Sequence, residues 1–143
     1  MGTLIAENQE CGISGLRLDL VLRLGKKLFI IDVTVPFENQ YQAFKRARAT
    51  KIDKYFPLAP LFKARRFREV QIIPISVGAL GAWDPRNDKF LKTVCSGEYL
   101  GLLQKLCISD CIRWSRDIYV SHLTGKCQYE NLDANNHTHS GDE

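Results

Sequence analysis

The chain has 143 residues, 45% of them apolar and 25% charged, which suits one globular domain with a polar tail. No apolar run approaches the ~18–20 residues of a membrane-spanning helix. Five scattered cysteines without a CxxC pair argue against a disulfide framework or a standard zinc motif.

Residues 1–15 hold two acids and three glycines with weak periodicity, and they read as an irregular lead-in with no secretory signal. The next segment alternates. Leu18, Leu20, Leu22 and Leu24 fall on one side, with Arg17, Asp19, Val21 and Arg23 on the other, which predicts a half-buried strand. Gly25-Lys26 then suits a type II′ turn, and KLFIIDVTVPF is rich in β-branched residues, as a second strand should be. With that turn, facing positions pair Leu24 with Lys27, Leu22 with Phe29, Leu20 with Ile31 and Leu18 with Val33. Leu18, Leu20 and Leu22 thus gain apolar partners, and Asp19 falls opposite Asp32.

Pro36 ends the strand or puts it at an edge. Asn39 is placed to cap a helix through about Tyr55, along which Phe44, Arg48, Lys51 and Tyr55 share one side. Pro57 and Pro60 are expected to stop it. VQIIPISV (70–77) predicts a third strand, at an edge or bulged because of Pro74. A glycine-rich loop follows, GALGAWDP. Residues 86–123 read as two helices broken near Ser96-Gly97, the second with a stripe of Leu103, Cys107, Cys111, Trp114 and Ile118. Residues 125–143 are polar and read as a disordered tail.

Charge is unevenly placed. Residues 45–68 carry Lys45, Arg46, Arg48, Lys51, Lys54, Lys63, Arg65, Arg66 and Arg68 against Asp53 alone, while the rest of the chain is mildly acidic. A surface of this kind attracts polyanions, nucleic acid first. Two facing carboxylates, in turn, destabilise a hairpin unless a cation offsets them. A divalent metal is one such cation, since carboxylate oxygens suit Mg²⁺ or Mn²⁺. A neighbouring lysine or arginine, or a shared proton, is another. Metal beside a polyanion-binding surface is the arrangement that cleaves a phosphodiester. Lys51 can reach such a site from the helix and stabilise charge developing on phosphate. The plainer reading makes Lys51 and Lys54 surface lysines and Tyr55 a core ring, and for Tyr55 it is preferred.

RLDLVLR, IIDVTVPFE, KIDKYFPLA and IIPISVGALGAWDP, in that order, resemble the restriction-like endonuclease domain at the carboxy end of site-specific non-LTR retrotransposon reverse-transcriptase polyproteins. That domain is of the PD-(D/E)XK type. The resemblance spans about residues 13–123. It implies an α/β fold, a restriction-endonuclease-like mixed sheet with flanking helices, over residues 16–124. Residues 1–15 are short for the helix and strand that usually come first. By the same resemblance Asp19 and Asp32 are the metal-binding acids. Lys51 matches the family's helix-borne lysine, and Lys54 and Tyr55 its Lys-Tyr pair. The implied activity is Mg²⁺-dependent nicking of chromosomal DNA in the nucleus, priming reverse transcription, with the reverse-transcriptase portion of the polyprotein as partner. Lys45, Arg46, Arg48, Lys54, Lys63, Arg65, Arg66 and Arg68 are then expected on the DNA backbone. Two departures stand out. Leu18 replaces the proline before the first acid, and Thr34 sits where many nucleases of this class keep a lysine. The sequence holds neither the family's zinc knuckle nor its reverse transcriptase. A nucleic-acid-binding remnant without catalysis is the alternative reading.

Overall fold

A computed structural model describes residues 2–11, 15–37 and 40–126. It is a mixed α/β structure. Four strands, β1 (Thr3–Cys11), β2 (Leu16–Leu24), β3 (Lys27–Thr34) and β4 (Glu69–Ser76), form one open sheet in the order β1-β2-β3-β4. The first three are antiparallel neighbours, and β4 lies parallel to β3. A parallel neighbour requires a crossover connection. It is supplied by α1 (Tyr41–Tyr55) and α2 (Leu58–Ala64), after which come α3 (Asn87–Val94) and α4 (Gly97–Thr124).

The β2–β3 hairpin has the expected register from Leu24↔Lys27 to Leu20↔Ile31. Gly25 alone of the two turn residues takes positive φ, at 60°, as a type II′ turn demands. The ladder ends there, so Asp19 and Asp32 are not a paired position. Leu18 and Val21, three apart, both enter the same buried cluster. A regular strand would send them to opposite faces, and the ladder stops between them.

Both sheet faces are covered. On one, Leu18, Val21, Leu28 and Ile30 pack with Tyr55 of α1 and Leu58 of α2. On the other, Phe29 and Ile75 meet Phe90, Leu91 and Leu100 of α3 and α4, with the rings of Phe29 and Phe90 centred 5.0 Å apart. The leucine face is therefore one of two, and β3 is buried on both sides at Leu28, Phe29 and Ile30. That accounts for its unbroken apolar run better than a half-buried strand does.

Three expectations need correction. Residues 3–11 are a strand, not a lead-in. β1 is an edge strand whose register shifts at Ile5 and whose Asn8 has φ 49°, so its alternation is broken and most of its side chains are exposed. Pro57 does end α1, but Pro60 stops nothing, because it lies in the first turn of α2, where no intrahelical N–H is needed. The stripe on α4 is only lightly covered: Leu100 is the buried residue of that helix, and Cys107 and Cys111 are half-buried. Pro74 sits in β4, whose one neighbour is β3, so the strand tolerates its missing N–H. Ser96 caps α4 by accepting the N–H of Tyr99, at the break expected between the two last helices. The cap proposed at Asn39 and the polar tail from 127 lie outside the described residues.

Candidate active site

Asp32 lies near the end of β3, two residues beyond Ile30, on the face covered by α1. Its side chain is 2% exposed. A carboxylate taken out of water needs hydrogen bonds and a countercharge, and α1 supplies both. Lys51 and Tyr55, one helical turn apart, point to the same place. Lys51 Nζ stands 2.5 Å from Asp32 Oδ2, and the Tyr55 hydroxyl lies 2.5 Å from Oδ1. The same hydroxyl is 2.9 Å from the carbonyl oxygen of Arg17 on β2, and it accepts from Lys54 Nζ at 3.1 Å. The Lys54 ammonium also stands over the Tyr55 ring, 4.7 Å from its centre.

Asp19 is half-buried on β2. The β2–β3 ladder has ended at Leu20↔Ile31, and the Asp19 carboxylate takes over: its Oδ2 accepts the backbone N–H of Val33 at 2.9 Å. This holds the first acid beside the residue that follows the second. Burial pushes the Tyr55 hydroxyl well above the ordinary tyrosine pKa; its hydrogen bond to Asp32 adds to this, followed by the fields of Asp32 and Asp19. The phenol therefore stays protonated as a hydrogen-bond donor.

The fold thus brings Asp19, Asp32, Lys51 and Lys54 together and adds Tyr55. The sequence left the offset for the two acids open among several cations; Lys51 fills that role for Asp32, and a backbone N–H serves Asp19. Tyr55 is a core ring as read from the sequence, with no exposed surface, but its hydroxyl is also part of the site. The resemblance alone matches it to a Lys-Tyr pair; its spacing of four from Lys51 is the sequence signal for the hydroxyl's place.

The remaining basic residues separate. Lys45, Arg46, Lys63, Arg65, Arg66 and Arg68 are exposed. Arg48 is not, and this corrects its place among backbone-binding residues. It is 8% exposed, turned inward from α1, and in close ion-pair contact with Asp84 of the β4–α3 loop. Burial, and then the neighbouring Arg86, hold its guanidinium below the ordinary arginine range. Beside it Asn87 closes the end of β4, accepting the Ser76 N–H at 3.0 Å and donating to the Ser76 carbonyl at 2.7 Å. This group ties the loop to the sheet. Nothing in the sequence near Arg48 signals a partner 36 positions away. Trp83 donates from its indole to Asp88 at 2.9 Å and packs within the α3–α4 cluster.

Among the described residues no three or more His, Cys, Asp or Glu side chains converge on one point. A closed metal cage is therefore not built among them. An open site for Mg²⁺ needs less: one or two carboxylates, with water and substrate phosphate completing the shell. Asp19 and Asp32 are the two carboxylates that the fold brings to this end of the hairpin. The Lys51 ammonium at Asp32 Oδ2 already marks a position where a cation is favoured. Burial raises the pKa of the Cys107 and Cys111 thiols. Comparison of the sequence with models of known protein families and with curated proteins gives no match.

Proposed function

We propose that this chain is a metal-dependent DNA-nicking domain of the restriction-endonuclease type, of the kind carried by site-specific non-LTR retrotransposon polyproteins. The observation that carries the reading is the pairing of a buried strand acid with a helix lysine, Asp32 with Lys51, beside a second acid, Asp19. The order of three antiparallel strands, a helical crossover and a parallel fourth strand supports it too.

In this reading Asp19 and Asp32 hold Mg²⁺ or Mn²⁺. Bound there, it would supply Lewis acidity and acidify water. Tyr55 fixes the Asp32 carboxylate through one oxygen, so the other is presented in one orientation. Lys51 neutralises Asp32 when no metal is bound, and its quarter-exposed side chain is free to turn toward a phosphate oxygen when one is. Lys54 and the other exposed cations hold the DNA backbone. The role in priming reverse transcription, the nuclear location and the polyprotein partner follow from the resemblance alone.

The test is nicking of supercoiled plasmid with Mg²⁺ or Mn²⁺ by the wild-type chain, Asp32→Ala and Lys51→Ala, each shown to keep a cooperative thermal transition. Metal-dependent nicking that disappears in Asp32→Ala is expected. Equal nicking by wild type and Asp32→Ala would remove the site from consideration. A second reading has one observation in its favour, because both Asp32 oxygens are already engaged by Lys51 and Tyr55. A noncatalytic nucleic-acid-binding domain would show no nicking by folded wild type, with DNA binding unchanged by loss of either acid.

A further inference from the structure

The exposed cations are not one patch. Lys27 pairs with Glu69 at the start of β3 and β4, whereas Asp32 pairs with Pro74 near their ends. Five residues of strand separate these positions, about 17 Å. Lys63, Arg65, Arg66 and Arg68 come at the end of α2 and in the turn into β4, so they lie at the end of the sheet away from the acids. The β2–β3 turn lies there too. It is joined to them by a hydrogen bond from the Arg68 N–H to the Lys26 carbonyl, at 3.0 Å. Two turns far apart in sequence thus present five exposed cations together: Lys26, Lys63, Arg65, Arg66 and Arg68. Among the described residues no acid pairs with any of the five. Lys27, by contrast, is engaged by Glu69 at 2.9 Å.

A helix C-terminus favours cations by itself, which would account for Lys63 and Arg65. It does not account for Arg66. That residue follows the C-cap of α2 with φ 73°, where its N–H donates to the Lys63 carbonyl at 3.2 Å. Glycine is the residue this helix ending prefers, because a side chain is strained at such a φ. Keeping an arginine there opposes stability, and strain of this kind is a reason to look for function.

We infer that this end of the sheet is a second contact for duplex DNA, gripping the phosphate backbone about five base pairs from the acids at 3.4 Å per base pair. The inference rests on the proposed nuclease reading for its partner, and adds where the duplex runs: along β3, from Asp32 toward the β2–β3 turn. A contact this far from the acids sets the direction in which the duplex lies.

The test uses the full chain and a linear 30-base-pair duplex, with binding followed by fluorescence anisotropy across a salt series. Arg66→Gly and Lys26→Gln are each expected to weaken binding several-fold and to reduce the slope of log K against log salt by about one, the value for one lost phosphate contact. Arg66→Gly is also expected to raise the melting temperature. A merely structural role for Arg66 would raise the melting temperature and leave affinity and slope unchanged; the inference requires stability to rise while affinity falls. Unchanged affinity and slope in both variants overturns it. Absence of metal-dependent nicking by the folded wild type, while these slopes still respond, would overturn the nuclease reading alone, and wild-type nicking with unresponsive slopes would overturn this inference alone.

Discussion

Replacing Lys51 by methionine tests the site without any assumption about catalysis. Asp32 is 2% exposed and its Oδ2 faces the Lys51 ammonium at 2.5 Å. Methionine keeps much of the stem but removes the charge, so a buried carboxylate is left with the Tyr55 hydroxyl as its remaining support. Breaking a fully buried pair by removing one partner costs about 3–5 kcal/mol. Lys51 keeps 24% of its side chain exposed, so the pair lies at the boundary of the core and the expected loss is smaller, about 2–3 kcal/mol. Against a total stability of about 5–15 kcal/mol that is a large fraction, and it corresponds to a melting temperature lower by about 10 °C. The reverse change is gentler. Asp32→Asn keeps an acceptor for Tyr55, and the freed lysine turns to solvent, so about 1 kcal/mol is expected. The double variant should be more stable than Lys51→Met alone, because the unpaired carboxylate is gone. Urea unfolding followed by circular dichroism, with unchanged m values, measures all three. A loss below about 0.5 kcal/mol for Lys51→Met, within the range of ordinary surface changes, would show that the lysine is not what permits Asp32 to be buried.

Three further outcomes follow from the same geometry. Millimolar Mg²⁺ should raise the melting temperature of Lys51→Met more than that of wild type, and a chelator should reverse the gain, because the metal then meets an uncompensated acid; equal shifts would argue against metal at Asp32. The raised pKa of Tyr55 means that above pH ~10 the unfolded chain releases its phenolic proton while the folded chain retains it. Tyr55 therefore supports the fold fully below that pH and loses its contribution as pH rises further, so wild type should lose stability in alkali more steeply than Tyr55→Phe, as pH-dependent urea melts would show. Asp84→Ala leaves Arg48 buried without its countercharge and should cost about 3 kcal/mol. The salt slope of DNA binding by the folded protein should not change, since Arg48 faces inward.

Much of the hairpin was legible because two independent signals agreed. Alternation set the faces, and Gly25 set the turn and therefore the register. The same logic overreached by two residues. It carried the pairing on to Asp19 and Asp32, where the strands part and a carboxylate replaces a ladder bond. Helical spacing brought Lys51 to Asp32 correctly, because α1 must run back over the sheet to make β4 parallel. The edge strand β1 escaped notice: half of it is polar, a bulge breaks its period, and its pairing comes from β2 rather than from its own pattern. Charge counting placed Arg48 on the surface for a related reason. Composition records how many cations a helix carries, while their direction depends on partners such as Asp84, distant in sequence.

The separation in sequence between Asp32 and its supports has a consequence for how the molecule assembles. A hairpin can close in microseconds, and β2–β3 has every local requirement for doing so. At that moment Asp19 and Asp32 stand on a bare ribbon with no countercharge. Lys51 and Tyr55 arrive only when α1 docks, 19 and 23 residues later in the chain. On the expectation that α1 docks after the folding barrier, the compensation of the acids is a late event. Loss of Lys51 should leave the refolding rate nearly as it was and accelerate unfolding, so that the lysine acts as a latch on the finished domain.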